Sequence, residues 1–243
     1  MDIFITVQFL LCTMTAALLQ SSCGFGFGIF VMMFFPFLLS DYPLAVTVSG
    51  MLSVITSSTA LMNNFKNIMW KKLLVPLIVY LPVSTFAIFF MVELSSSLMK
   101  RLLGAVLIIL CIYFLCFNKK LKIKATAKSG IIVGTLSGIL GGMFGMSGPP
   151  IALYLLASTD DKNQYSGSIH TFFIISNLYM FLIRAYNGFA TVLAFRYFLI
   201  GCAAAIFGSI CGRMIFKRIN AELLRKTVYF VMGFSGLIAL IKG

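Results

Sequence analysis

The sequence predicts an all-α polytopic membrane protein made of two inverted repeats, each a glycine-broken helix hairpin followed by three spanning helices. Three observations carry that prediction. Of 243 residues, 60% are hydrophobic and 10% charged, with mean hydropathy +1.04, whereas a soluble domain carries about 25% charged residues. Such a composition leaves no room for a separate soluble domain. Two glycine-rich breaks, Gly24-Phe-Gly-Phe-Gly28 and Gly141-Gly-Met-Phe-Gly-Met-Ser-Gly-Pro149, interrupt apolar stretches in the two halves. The halves also recur weakly and in order: Phe25-Gly26-Phe27 with Phe144-Gly145-Met146, Asp41 with Asp161, Trp70-Lys71 with Phe195-Arg196, and Lys100-Arg101 with Arg225-Lys226.

Apolar segments lie at 3–20, 29–39, 44–62, 73–92, 102–117, 130–140, 151–157, 168–183, 191–211 and 228–241. The first reads as a retained span, because no basic residue precedes it and no small-residue cleavage signal follows. Segment 29–39 follows the first break and is too short for a crossing, which takes about 20 helical residues; Pro36 is expected to kink or end it. Segments 44–62, 73–92 and 102–117 complete the first repeat, 1–118. The basic run from Lys119 to Lys128 is the linker, 119–129, and the second repeat covers 130–243. Segments 130–140 and 151–157 flank the second break and are again short. Segment 168–183 holds the lone histidine, His170. In 191–211 the small residues Gly201, Ala203, Ala204 and Ala205, followed by Gly208 and Gly212, suit close helix contact, either within one chain or in a homo-oligomer. Segment 228–241 closes the second half.

Charge decides between two topologies, since cytoplasmic loops carry an excess of Lys and Arg. If each broken segment is one span, eleven of the 19 Lys/Arg lie inside and eight outside. If each break is a hairpin and the N-terminus is outside, fourteen lie inside and only Lys100, Arg101, Arg184, Arg196 and Lys242 outside. The second arrangement fits the bias better. It makes the repeats inverted, so the breaks enter from opposite faces and meet near the midplane. The formal charge of +13 then belongs to short loops that orient spans and meet anionic lipid head groups, not to nucleic-acid binding. The six cysteines show no CxxC or Cys/His metal spacing. They read as buried free thiols, with Cys23 the one placed to touch a ligand. No metal or other cofactor is expected.

Matched broken segments in two halves are the sequence mark of a transporter's binding site. A helix that starts inside the membrane offers free backbone N–H groups and the positive end of its dipole. Glycine lets an oxyanion approach that backbone, and serine adds hydroxyl donors. The candidate substrate-binding residues are therefore Ser21, Ser22, Gly24, Gly26 and Gly28 in the first break and Gly145, Ser147 and Gly148 in the second. Pro149 and Pro150 fit the first turn of the second half-helix. The alternative is that these glycines serve only tight helix packing.

The motifs Gly24-Phe-Gly-Phe-Gly28 with downstream Pro36, and Leu140-Gly-Gly-Met-Phe-Gly-Met-Ser-Gly-Pro-Pro150, resemble those of the sulfite exporter TauE/SafE family of membrane permeases. Both halves also end in a basic pair and a final apolar span, so the resemblance covers nearly the whole chain. The family usually shows a fuller glycine triplet followed by proline; here Phe27 and Ser147 interrupt the run. The resemblance implies transport of a small sulfur-containing anion such as sulfite or a sulfonate, or of a related organic acid, usually outward across a bacterial inner membrane.

An ionisable residue inside a membrane is a functional candidate by default. His170 is accordingly a candidate for proton coupling or anion contact, against a structural, hydrogen-bonded role. Gly145-Met-Ser147-Gly148 also fits the GxSG of rhomboid-type intramembrane serine proteases, with His170 as base. That reading leaves the first break without a purpose, and an enzyme is not expected. Arg184 and Arg196 read as interfacial anchors beside the Asn187-Gly188 turn, with an anion entry funnel as the other reading of Arg184. Asp41, Asp160, Asp161 and Glu93 read as solvated loop residues, and Asn177 as a helix-to-helix hydrogen bond. The expectation is thus a multi-pass cell-membrane anion transporter with cytoplasmic basic loops and a small anion and the lipid bilayer as partners. A passive anion channel is the nearest rival.

Overall fold

A computed structural model of the chain describes residues 3–62, 64–117, 126–215 and 221–243, with the side chains of 116–117, 215 and 221–229 outside the description. Most of the expected linker at 119–129 thus lies outside the described residues. The rest is helical. In chain order the elements are α1 (Ile3–Cys23), α2 (Phe27–Met32), α3 (Phe35–Leu38), α4 (Tyr42–Leu61), a 3-10 turn at Phe65–Asn67, α5 (Trp70–Glu93), α6 (Ser96–Phe117), α7 (Ala127–Phe144), α8 (Gly148–Leu156), α9 (Lys162–Tyr186), α10 (Val192–Ile215) and α11 (Ala221–Lys242). Seven of these are long and apolar enough to cross a membrane: α1, α4, α5, α6, α7, α9 and α10.

Local chemistry sets the helix ends. The Asp41 carboxylate accepts the Leu44 N–H at 2.7 Å and caps α4, and the Asp161 carboxylate accepts the Asn163 N–H at 2.8 Å and caps α9. Two residues read as merely solvated therefore hold the same place in each half. Thr126 and Ser129 form a reciprocal capping box at the start of α7. Pro149 and Pro150 sit in the first turn of α8, where a missing N–H costs nothing. The expected single segment at 29–39 is two helices. Pro36 lies in the first turn of α3, and a proline ring clashes with the carbonyl four residues before it; that residue is Met32, where α2 ends. Proline thus begins the second piece instead of kinking one long one.

The Asp41 cap gives a direct test. Asp41→Ala is expected to lower stability by about 1 kcal/mol, read as a lower thermal midpoint in detergent. Glu93→Ala, at an exposed helix end, is the reference and should show no loss. An unchanged midpoint in Asp41→Ala would remove the cap from the account of α4.

Close backbone contacts fix how the helices pair. Helices α1 and α10 run parallel: an added Cβ at Gly208 would strike the Met14 carbonyl, and one at Gly212 would lie 2.7 Å from the Leu18 carbonyl. Helices α5 and α7 also run parallel, with Gly134 on Pro76, Gly138 on Val83 and Gly142 on Ser84. In α4 and α9 the order reverses, since Val46 meets Arg184, Ser53 meets Asn177 and Asn64 meets Ser166. The same holds for α6 and α11, where Gly104 packs on Gly236 and Cys111 on Gly233. These pairs form matched sets. Exchanging α1 with α7, α4 with α9, α5 with α10 and α6 with α11 turns the α1–α10 contact into α7–α5, and α4–α10 into α9–α5; all four contacts occur. Within the chain, Gly208 and Gly212 of α10 pack on α1, and Gly201 packs on Leu52 of α4 and Phe9 of α1.

Candidate functional site

Both breaks are tight turns that only glycine holds cheaply. Helix α1 ends at Cys23, and Gly26, with φ +115°, leads into α2. Helix α7 ends at Phe144, and Gly145, with φ +67°, turns the chain away. A side chain in this left-handed region costs about 1–2 kcal/mol. The Gly145 N–H donates to the Gly141 carbonyl at 3.0 Å and the Met146 N–H to the Leu140 carbonyl at 3.1 Å, which closes α7 inside the protein.

The two breaks touch. A Cβ added to Gly28 would clash with the Gly145 carbonyl oxygen. Beside this contact lies a small cavity. Its lining includes residues 26–29 from the first break and 145–148 from the second, which are the same four positions of the weak repeat (145 − 26 = 148 − 29 = 119). Gln20, Ser53, Phe173 and Asn177 complete it.

The lining is rich in donors and holds no carboxylate. The first-turn amides of α2, on Phe27, Gly28 and Ile29, have no partner within the helix. In the second break Gly145 and Met146 are turned back onto α7, and Pro149 and Pro150 have no N–H, so the amides of Ser147 and Gly148 remain. Helix α2 has six residues and α8 nine, so these amides matter more than any helix dipole. The Asn177 amide donates to the Ser53 hydroxyl at 3.3 Å and to the Phe173 carbonyl at 2.8 Å. Gln20 donates to the Ser57 hydroxyl at 2.8 Å. These bonds tie α1, α4 and α9 around the cavity. Such a wall can receive the oxygens of a small anion and holds no carboxylate to balance a cation's charge.

Of the eight candidate substrate-binding residues, Gly26, Gly28, Gly145, Ser147 and Gly148 come together at the cavity. Three do not. The Ser22 hydroxyl donates to the Leu18 carbonyl of its own helix at 2.8 Å and faces the Gly212 carbonyl of α10 at 3.4 Å. Ser21 also packs toward Gly212. Gly24 is covered by the ring of Tyr165, whose Cε1 an added Cβ would approach to 2.8 Å. His170 is buried in α9, one turn before Phe173, with the two rings edge to face at 6.3 Å. Among the described residues its Nδ1 has no hydrogen-bond partner. Ser147 sits beside the Tyr80 hydroxyl over Gly141; the hydrogen bonds found among the described residues do not join it to His170.

Arg184 overturns its reading as an interfacial anchor. It is 1% exposed. Its guanidinium donates to the carbonyls of Val46, Gly141 and Gly142, each at 3.1 Å. The reason is the early stop of α7. Its last carbonyls end inside the protein and need donors, which Arg184 supplies for two of them and the Tyr42 hydroxyl, at 3.1 Å, for Met143. Gln20, Ser53 and Phe173 were not singled out from sequence. Asn177 was, and it makes the helix-to-helix bond expected of it while also facing the cavity. A signal existed: Ser53 and Ser57 lie one turn apart, as do Phe173 and Asn177, and the two pairs stand 120 residues apart.

A family model described as Sulfite exporter TauE/SafE matches residues 9–238, a stretch that includes both breaks. Neither a curated protein nor a solved structure matches the chain.

Proposed function

The chain belongs to the sulfite exporter TauE/SafE family, a family of membrane transporters, and on that premise we propose that it is a secondary transporter that exports a small sulfur-containing or organic anion, such as sulfite or a sulfonate, by alternating access. One observation carries the reading: the two breaks, one from each half, meet and line a single cavity with equivalent residues. The anion is held by the amides of Phe27, Gly28, Ile29 and Gly148 and by the amide and hydroxyl of Ser147. Gly26 and Gly145 give the backbone its turns. Ser21, Ser22 and Gly24 brace the first hairpin, against α10 and under Tyr165.

The two halves act as inverted repeats, 1–118 and 130–243. The antiparallel pairing of the counterparts α4 with α9 and α6 with α11 supports this. With the ends of α4, α6 and α10 on one side beside the starts of α5, α7, α9 and α11, fourteen of the Lys/Arg belong to the sequence stretches that flank those ends. That side is cytoplasmic in a bacterial inner membrane. His170, buried one turn from the cavity wall, carries a proton linked to turnover.

Reconstituted vesicles test both parts. Radiolabelled sulfite is expected to accumulate faster when unlabelled sulfite is trapped on the other side, and uptake should saturate. Uptake that rises linearly with concentration and shows no counterflow would replace the carrier with a channel. His170→Gln is expected to transport with a rate that no longer follows the pH gradient. If its pH dependence matches the wild type, the proton role falls.

A further inference from the structure

We infer that Arg184 is the charge-selecting residue of this site: its guanidinium is held one side-chain layer behind the cavity, and the transported anion is its counter-charge. This rests on the reading of the cavity as an anion site. Arginine keeps its charge in a protein interior. Here that charge is fully buried, and among the described residues its hydrogen-bond partners are backbone carbonyls of α4 and α7, while its Nε has none. The end of a helix contributes only about half a negative charge, which leaves the guanidinium incompletely neutralised. No carboxylate among the described residues is buried. Asp41, Glu93, Asp160 and Asp161 all sit at exposed positions at or between helix ends. An isolated buried charge is costly and demands a partner.

The geometry points that demand at the cavity. Arg184 grips the α7 carbonyls just before Gly145 and Met146, which line it. The Asn177 side chain stands between. Above Gly50, the guanidinium Nη1 and the Asn177 Oδ1 each lie 3.3 Å from the same point, the place of an absent Cβ, while the Asn177 amide faces Ser53 in the wall. Asn177 thus turns its oxygen toward the positive charge and its donor side toward the lining. The amides and hydroxyls of the breaks supply shape and hydrogen bonds; Arg184 supplies the sign of the charge. A clamp on α7 would need donors alone, so a merely structural arginine and a charge-selecting one respond differently to substitution.

The test measures the sulfite-dependent rise in thermal midpoint of the purified protein at constant ionic strength, with chloride as the reference anion. Wild type is expected to gain stability from sulfite. Arg184→Lys keeps the charge and should keep the response from a lower starting midpoint. Arg184→Gln keeps donors without charge and should need about tenfold more sulfite or greater for the same rise. Asn177→Asp places a fixed carboxylate beside the guanidinium. It should raise the sulfite-free midpoint and abolish the sulfite response. A wild-type sulfite titration in Arg184→Gln overturns the assignment and leaves the anion site standing. If that variant does not fold, a sulfite-free midpoint that is unchanged or lower in Asn177→Asp overturns it instead. A wild type that sulfite does not stabilise removes the site reading, and this inference with it.

Discussion

Gly28→Ala is expected to abolish transport and to cost about 3 kcal/mol or more, at the upper end of what overpacking a tight interior costs. The added methyl would clash with the Gly145 carbonyl oxygen. That oxygen is backbone and cannot swing aside. The turn that carries it is pinned by the Gly145 N–H bond to Gly141, and Gly141 is itself held by Arg184. The two breaks must therefore part, and the cavity wall parts with them. Gly148→Ala is the informative companion. Its methyl would lie 3.4 Å from the Phe25 Cβ and 3.5 Å from the Phe173 Cζ, ordinary contacts with side chains. It should leave the thermal midpoint near wild type while narrowing the cavity and weakening sulfite uptake. Measuring midpoint and uptake for both variants separates the contact from the binding surface. A Gly28→Ala protein that transports like wild type would show that the breaks do not need to touch.

The second large effect concerns the scaffold. Gly208→Val is expected to separate α1 from α10, because its Cβ would strike the Met14 carbonyl and lie 3.0 Å from the Ala17 Cβ. Gly142→Val should do the same to α5 and α7, where the Cβ would lie 2.6 Å from both the Ala87 Cβ and the Ser84 carbonyl. Each is expected to cost 2 kcal/mol or more, roughly, with a matching drop in folded yield from the membrane. Since the two contacts are counterparts in the halves, the losses should be similar. Gly233→Ala meets only the Cys111 side chain within 3.4 Å and should be milder than either. Equal tolerance of all three substitutions would mean that these backbone approaches do not hold the bundle together.

Hydropathy and turn chemistry made much of this legible. The breaks, the long spans, Pro149 and Pro150 at the start of a helix and the recurrence of Asp41 as Asp161 all follow from residue type and local order. What could not be read was direction around a helix. Gln20 faces the cavity, and the next two residues point about 100° and 200° away from it. Ser21 and Ser22, equally polar on paper, therefore serve the α10 contact. Arg184 was misjudged for a different reason. Its place near the end of an apolar span is where an interfacial arginine belongs, and only the early stop of α7 creates buried carbonyls for it to serve. Pro36 was visible, but its effect falls four residues upstream, at Met32, so the break it causes appears before it does.

The parallel contacts of α1 with α10 and of α5 with α7 join the hairpin of each half to a long helix of the other. Each half therefore leaves part of its own packing to the other. Released alone, residues 1–118 would present the glycine-matched flank of α5 and the inner flank of α1 with nothing to cover them.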